Sequence, residues 1–113
     1  MNQEIKQRWI SKLRSGEYKQ GKNRLKNLDG SMCCLGVLCE LYREDHPGIE
    51  WIECIPDNSF SILNSVDILP KSIMIWAELN STCGNIGNLT LGYMNDIANY
   101  DFNKIADIIE KEL

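Results

Sequence analysis

The sequence has one histidine, His46, and no CxxC cysteine pair. That leaves little material for a zinc site, a dithiol redox motif or a Cys–His catalytic pair. No apolar run approaches the ~18 residues a membrane span requires. The chain opens Met1-Asn2-Gln3-Glu4-Ile5-Lys6 with no apolar signal region, so a cytoplasmic protein is expected. The Gly-x4-Gly-Lys-Ser/Thr order of a Walker loop is missing, and no internal repeat or low-complexity tract is visible. The five cysteines are odd in number, and Cys33 and Cys34 are adjacent. Free thiols in a reducing compartment are therefore expected, with no metal and no cofactor.

What is present suits one small domain. A chain of 113 residues with 43% hydrophobic and 25% charged residues can bury roughly two-thirds of its unfolded surface without a metal or disulfide. Its centre is Ser31–Tyr42, in which nine of twelve residues are apolar. Leu35, Leu38, Cys39 and Tyr42 fall at helical spacing, so this stretch reads as a buried helix capped by Ser31 and ending near Glu44 to His46, before Pro47-Gly48. Gly36 inside it costs about 1 kcal/mol relative to Ala, which a close approach by another backbone would justify. Cys33, Cys34 and Cys39 read as small buried apolar side chains.

Around this centre, residues 3 to 15 form an amphipathic helix with Ile5, Trp9, Ile10 and Leu13 on one face and Gly16 as a left-handed cap. Residues 17 to 30 read as a loop and a short strand or hairpin arm, with a turn at Asp29-Gly30. Glu50–Cys54 and Phe60–Val66 are strand candidates that could pair antiparallel across a Pro56–Ser59 turn. A helix from Leu69-Pro70 to about Leu79 turns Ile73, Ile75, Trp76 and Leu79 inward. Thr90–Ile97 makes a short helix on Leu91, Tyr93, Met94 and Ile97. Asp101 caps a last helix, Phe102 to about Glu112. The expected fold is α+β: four or five helices around a buried central helix, with a small antiparallel sheet. An all-helical fold is the alternative.

The charge is unevenly placed. Residues 1 to 26 hold eight bases and two acids, a net +6, while the rest of the chain is −10. This division suits an anion site on an otherwise acidic protein, or internal pairing between the two halves. Gln20-Gly21-Lys22-Asn23-Arg24 is the densest mixture of glycine, amides and cations in the chain. Glycine frees backbone N–H groups, and Lys and Arg supply charged donors, which is what phosphate binding needs. The candidate ligand-binding residues are Lys19, Gln20, Lys22, Asn23 and Arg24. Lys22 and Arg24 would hold phosphate, and Gln20 and Asn23 would meet sugar or base. Tyr18, Trp51, Trp76 and Tyr93 could stack a ring, and Asn80–Asn88 is either a ligand-contacting loop or a plain connector. His46, beside Pro-Gly, reads as a helix-end residue.

Several stretches occur together in a familiar order: Leu13–Lys22, then Cys33-Cys34-Leu35-Gly36-Val37-Leu38-Cys39, then Leu69-Pro70 with Trp76, then Met94-Asn95-Asp96, then Phe102 with Ile105–Glu110. This order resembles a family of small proteins of tailed bacteriophages and prophages. The resemblance implies a phage accessory protein acting inside a bacterial cell, where such proteins blunt host defences, take over host machinery or bind nucleic acid. It assigns no site residue.

The first functional expectation is a non-enzymatic protein that sequesters a phosphate-bearing small molecule, such as a nucleotide signal used in host defence. The second class is a protein–protein inhibitor of a host factor, using the acidic half or an apolar face. Non-specific nucleic-acid binding through residues 6 to 26 is a third. Tyr93–Glu110 does resemble the opening of a helix-turn-helix, but Asp107, Glu110 and Glu112 there would repel phosphates. No carboxylate pair is marked by spacing for acid–base work, so an enzyme is not expected. No membrane partner is expected, and homo-oligomerisation is left open.

Overall fold

A computed structural model describes residues 1–113. The chain folds as one α+β unit with five α-helices, a three-stranded antiparallel sheet and a separate hairpin. The helices are α1 (Gln3–Arg14), α2 (Cys34–Asp45), α3 (Lys71–Ala77), α4 (Leu91–Asp96) and α5 (Phe102–Glu112). The sheet has the order β1 (Lys26–Asn27), β3 (Ser59–Ser61), β2 (Ile52–Cys54), and β4 (Asn85–Ile86) pairs with β5 (Leu89–Thr90).

α2 is the buried centre. Its residues Cys34 to Cys39 and Leu41 are all buried, so its first half is enclosed on every side, while Glu44 and Asp45 reach the surface. α1 packs against α2 and α5 through Ile5, Trp9, Ile10 and Leu13, and the Trp9 indole donates to the Cys34 carbonyl at 2.9 Å. Gly36 is where the chain crosses closest: a Cβ there would lie 1.9 Å from the Leu25 carbonyl oxygen. Gly16 takes the left-handed conformation after α1, at φ 79°, and Asp101 caps α5 by accepting from the Lys104 N–H at 2.8 Å.

The structure corrects the expected boundaries in several places. α2 starts at Cys34, and Ser31 does not cap it. The Ser31 hydroxyl donates to Asp29 instead, while the Cys34 N–H is accepted by Asn95 Oδ1 on α4 at 3.2 Å. β3 ends at Ser61 because Leu63 and Asn64 adopt positive φ, and Ile62 and Ser65 exchange two backbone hydrogen bonds to close a tight turn. β2 begins only at Ile52. Residues 80 to 88 are not a plain loop: Gly87, at φ 59°, turns β4 into β5, a position in two-residue hairpins that favours glycine. Ile75 and Ile97 face solvent. α3 places Ile73 and Ala77 inward, and α4 places Leu91, Met94 and Asn95 inward, so a polar residue takes the buried position on α4. Tyr93 is also largely exposed.

Candidate functional site

The basic segment 19–24 is a connection stitched onto α4. Met32 N–H donates to the Lys19 carbonyl at 2.9 Å, and Gly21 N–H donates to the Met32 carbonyl at 2.7 Å. The Gly21 carbonyl accepts from Asn95 Nδ2 at 2.8 Å. A Cβ on Gly21 would lie 2.5 Å from the Ser31 hydroxyl, so glycine is required here by the protein's own packing. The fold itself uses both the close approach and the N–H that a ligand at Gly21 would need.

The five candidate residues fall into separate places. Gln20 is committed to the fold: its Nε2 donates to Asn95 Oδ1 and to the Tyr100 carbonyl, both at 2.9 Å, and its Oε1 accepts the Phe102 N–H at 3.0 Å. Lys19 lies 3.4 Å from Asp29, with both side chains exposed. The Lys22 ammonium donates to the Asn99 side chain. Asn23, at φ 67°, has its N–H held by Asp96 Oδ1 at 3.0 Å. Arg24 Nη1 donates to the Asn23 carbonyl at 2.9 Å, and its Nε is shielded from solvent with no partner.

Lys22 and Arg24 therefore line different depressions. Lys22, with Gln20, Asn95, Asn99, Tyr100 and Asp101, lines one of about 260 Å³. Arg24 and Asn23 line the largest, about 460 Å³, whose walls include Thr90, Tyr93, Cys83 and Ile68. Asp67 and Asp96 also face it. Of the aromatic residues considered for stacking, Tyr93 is the one in this cavity. Tyr18 lies beside Phe102 in another depression, Trp51 donates to Glu40, and Trp76 meets Tyr42 edge-on. His46 is stacked on Tyr42 at 3.8 Å and lines none of these depressions.

The other cations of the N-terminal segment are largely spoken for. Arg8 makes a two-pronged bond to Asp45 at 2.8 and 2.9 Å, and this holds the Asp45 carboxyl below its usual range. Lys12 reaches Glu44 at 2.9 Å, and the hydrogen bond raises its pKa. Arg14 meets Asp107 at 2.6 Å and Glu110 at 3.1 Å. The Lys26 ammonium lies over the Phe60 and Trp51 rings at 4.9 and 5.5 Å. Internal pairing thus consumes much of the +6 charge, and Arg24 is the guanidinium that no carboxylate holds in an ion pair.

Asn95 was not anticipated as part of this region, whereas residues 80 to 88, read as a ligand-contacting loop or a connector, contribute Cys83 to the Arg24 cavity. The signal for Asn95 was an amide at an apolar helical position, i+1 from Met94 and i+4 from Leu91. Its partners, Gln20, Gly21 and Cys34, are 61 to 75 residues away in sequence, so its role could not be read locally. No curated protein and no solved structure matches the chain. Over its whole length, residues 1–113, the chain belongs to the family described as a domain of unknown function, DUF8296.

Proposed function

We propose that this protein binds a phosphate-bearing small molecule of nucleotide type in the Arg24 cavity, as a sequestering protein rather than a catalyst. The observation that carries the reading is Arg24, whose guanidinium bonds the Asn23 carbonyl but no carboxylate, in the wall of a 460 Å³ cavity that also presents Tyr93. That volume is in the range of small-molecule sites. A guanidinium offers paired donors to phosphate oxygens, an exposed phenol ring offers a stacking face, and Thr90 and Asn23 offer hydrogen bonds. Asp67 and Asp96 supply acceptors for hydroxyl or amino groups. One cation beside two carboxylates favours a ligand of low charge over a polyphosphate. Lys22, on the far side of the segment, contributes only through its field. The resemblance to phage and prophage proteins supports a role in withholding such a ligand from the bacterial cell that makes it.

The test is a thermal-shift screen with nucleoside monophosphates, cyclic dinucleotides and ADP-ribose derivatives, with short DNA as a comparison. A ligand at 100 times its Kd stabilises by about 2.7 kcal/mol, a shift of several degrees. Arg24→Gln should cut that shift by about half or more, with little change in the ligand-free melt. The proposal fails if short DNA alone shifts the melt, if nothing does, or if Arg24→Gln leaves the shift intact.

A further inference from the structure

The two edges of the three-stranded sheet are unlike. Beyond β1 the edge is covered: Lys26 bridges to Met32, and the Asn27 N–H donates to the Ser31 carbonyl at 2.8 Å. Beyond β2 there is nothing. The backbone of β2 pairs only with β3, and residues 50–53 make no other backbone hydrogen bond. The two most exposed large apolar side chains of the protein are here, Ile52 on β2 at 65% and Ile55 at 77% in the 3-10 turn Ile55–Asp57 that follows it. An open edge with apolar side chains is a template for strand addition.

The charges on this edge say what can occupy it. Glu50, Glu53 and Asp57 are all exposed, and no Lys or Arg occurs between Arg43 and Lys71. Antiparallel pairing with a second copy, centred on Glu53, would set Glu53 against its own equivalent, and like charges directly opposite destabilise a strand pair. A basic strand meets the same carboxylates as partners. We infer that the β2 edge accepts an extended basic segment of another protein, which adds to the sheet as a fourth strand with its apolar side chains on the Ile52 face and its cations on the Glu53 face. None of residues 50–57 lines the Arg24 cavity, so this surface and that cavity are separate sites.

The probe is a heptapeptide alternating valine and lysine, titrated into isotope-labelled protein and followed by amide NMR. The expected result is saturable shifts confined to residues 50–55, with slowed amide exchange along β2. Methylating alternate peptide nitrogens removes the strand donors while keeping the charge, and should weaken binding at least about tenfold. Glu53→Lys should weaken it by about fivefold or more, and a peptide with glutamate in place of lysine should recover binding to that variant. Glu53 is exposed, and an unchanged melt would confirm that the variant folds. The inference is overturned if the peptide causes no shifts at about 1 mM, or if the methylated peptide binds equally well. It is also overturned if sedimentation shows a dimer that Ile52→Lys abolishes, which would give the edge to a second copy.

Discussion

Asn95 is fully buried and ties two distant segments, residues 20–21 and the start of α2, to α4. Its Oδ1 accepts from Gln20 and from the Cys34 N–H, and its Nδ2 donates to the Gly21 carbonyl and to Asp96. Removing the amide orphans several shielded groups at once, each worth about 1–3 kcal/mol. Asn95→Ala should therefore cost about 3 kcal/mol or more in urea unfolding; a loss below about 1 kcal/mol would show that water replaces the amide freely. Gly36 is the complementary case, where what matters is the absence of an atom. Gly36→Ala should gain about 1 kcal/mol of helix propensity but lose more, because its Cβ would meet the Leu25 carbonyl at 1.9 Å, a contact only backbone movement relieves. The net should be a loss of about 2 kcal/mol or more, read from the same denaturation. Gly36 was legible in the sequence because a glycine amid helical apolar residues has few other reasons to be there. Asn95 was not, because an amide looks alike whether it faces water or two remote segments.

At the scale of elements, α1, α2 and α5 were legible because each runs for three turns with its apolar residues in phase. The strands were less so. β2 and β3 are three residues each, too short to show alternation, and β3 ends where Leu63 and Asn64 take positive φ, a conformation leucine does not advertise. The cysteines of α2 yield a pH prediction. Burial pushes the Cys33 thiol up to about 12 and raises Cys34 and Cys39 well above their ordinary value. In the unfolded chain these thiols ionise near pH 8.5. The folded state then binds more protons than the unfolded one, so the stabilisation is complete below about pH 8.5 and falls as pH rises toward 12. Each thiol contributes a slope of about 1.4 kcal/mol per pH unit in that window. Urea midpoints from pH 7 to 11 should show the decline, and Cys39→Ala should make it shallower; a flat profile would refute neutral burial. In the folded protein a thiol reagent should modify Cys54 and Cys83, which are partly exposed, well before the buried Cys33, Cys34 and Cys39.

Across the whole molecule, the division of charge read from the sequence separates into two physical roles. Arg8, Lys12 and Arg14 of α1 are rim contacts to acids on α2 and α5, outside a face that already buries Trp9, Ile10 and Leu13. The cations of the 22–24 segment have no such carboxylate partners. The overall asymmetry was visible in the sequence, but its partition was not, because which lysine meets which acid depends on how helices far apart in the chain come together. The partition can be tested by exchanging the two sets. The Arg8–Asp45 and Lys12–Glu44 pairs lie at the surface, where water and salt screen them, so each is worth at most about 1 kcal/mol. Arg8→Gln with Lys12→Gln should lower stability by about 1–2 kcal/mol at pH 7. Part of that difference should vanish on acidification, because the depressed Asp45 carboxyl contributes above the ordinary carboxylate range and ceases to contribute as pH falls through its lowered folded value. Affinity at the Arg24 cavity should stay within about twofold in this double variant, since exposed charges beyond a Debye length of about 10 Å are screened. Arg24→Gln should behave in the opposite way, with a melt close to wild type and ligand affinity reduced about tenfold or more, the loss of a charge-assisted contact worth about 1.5–3 kcal/mol. Calorimetric titration and thermal melts on the two variants read both quantities. If the α1 double variant weakens binding as much as Arg24→Gln does, the anion is held by the basic segment as a whole, and the cavity is not its site.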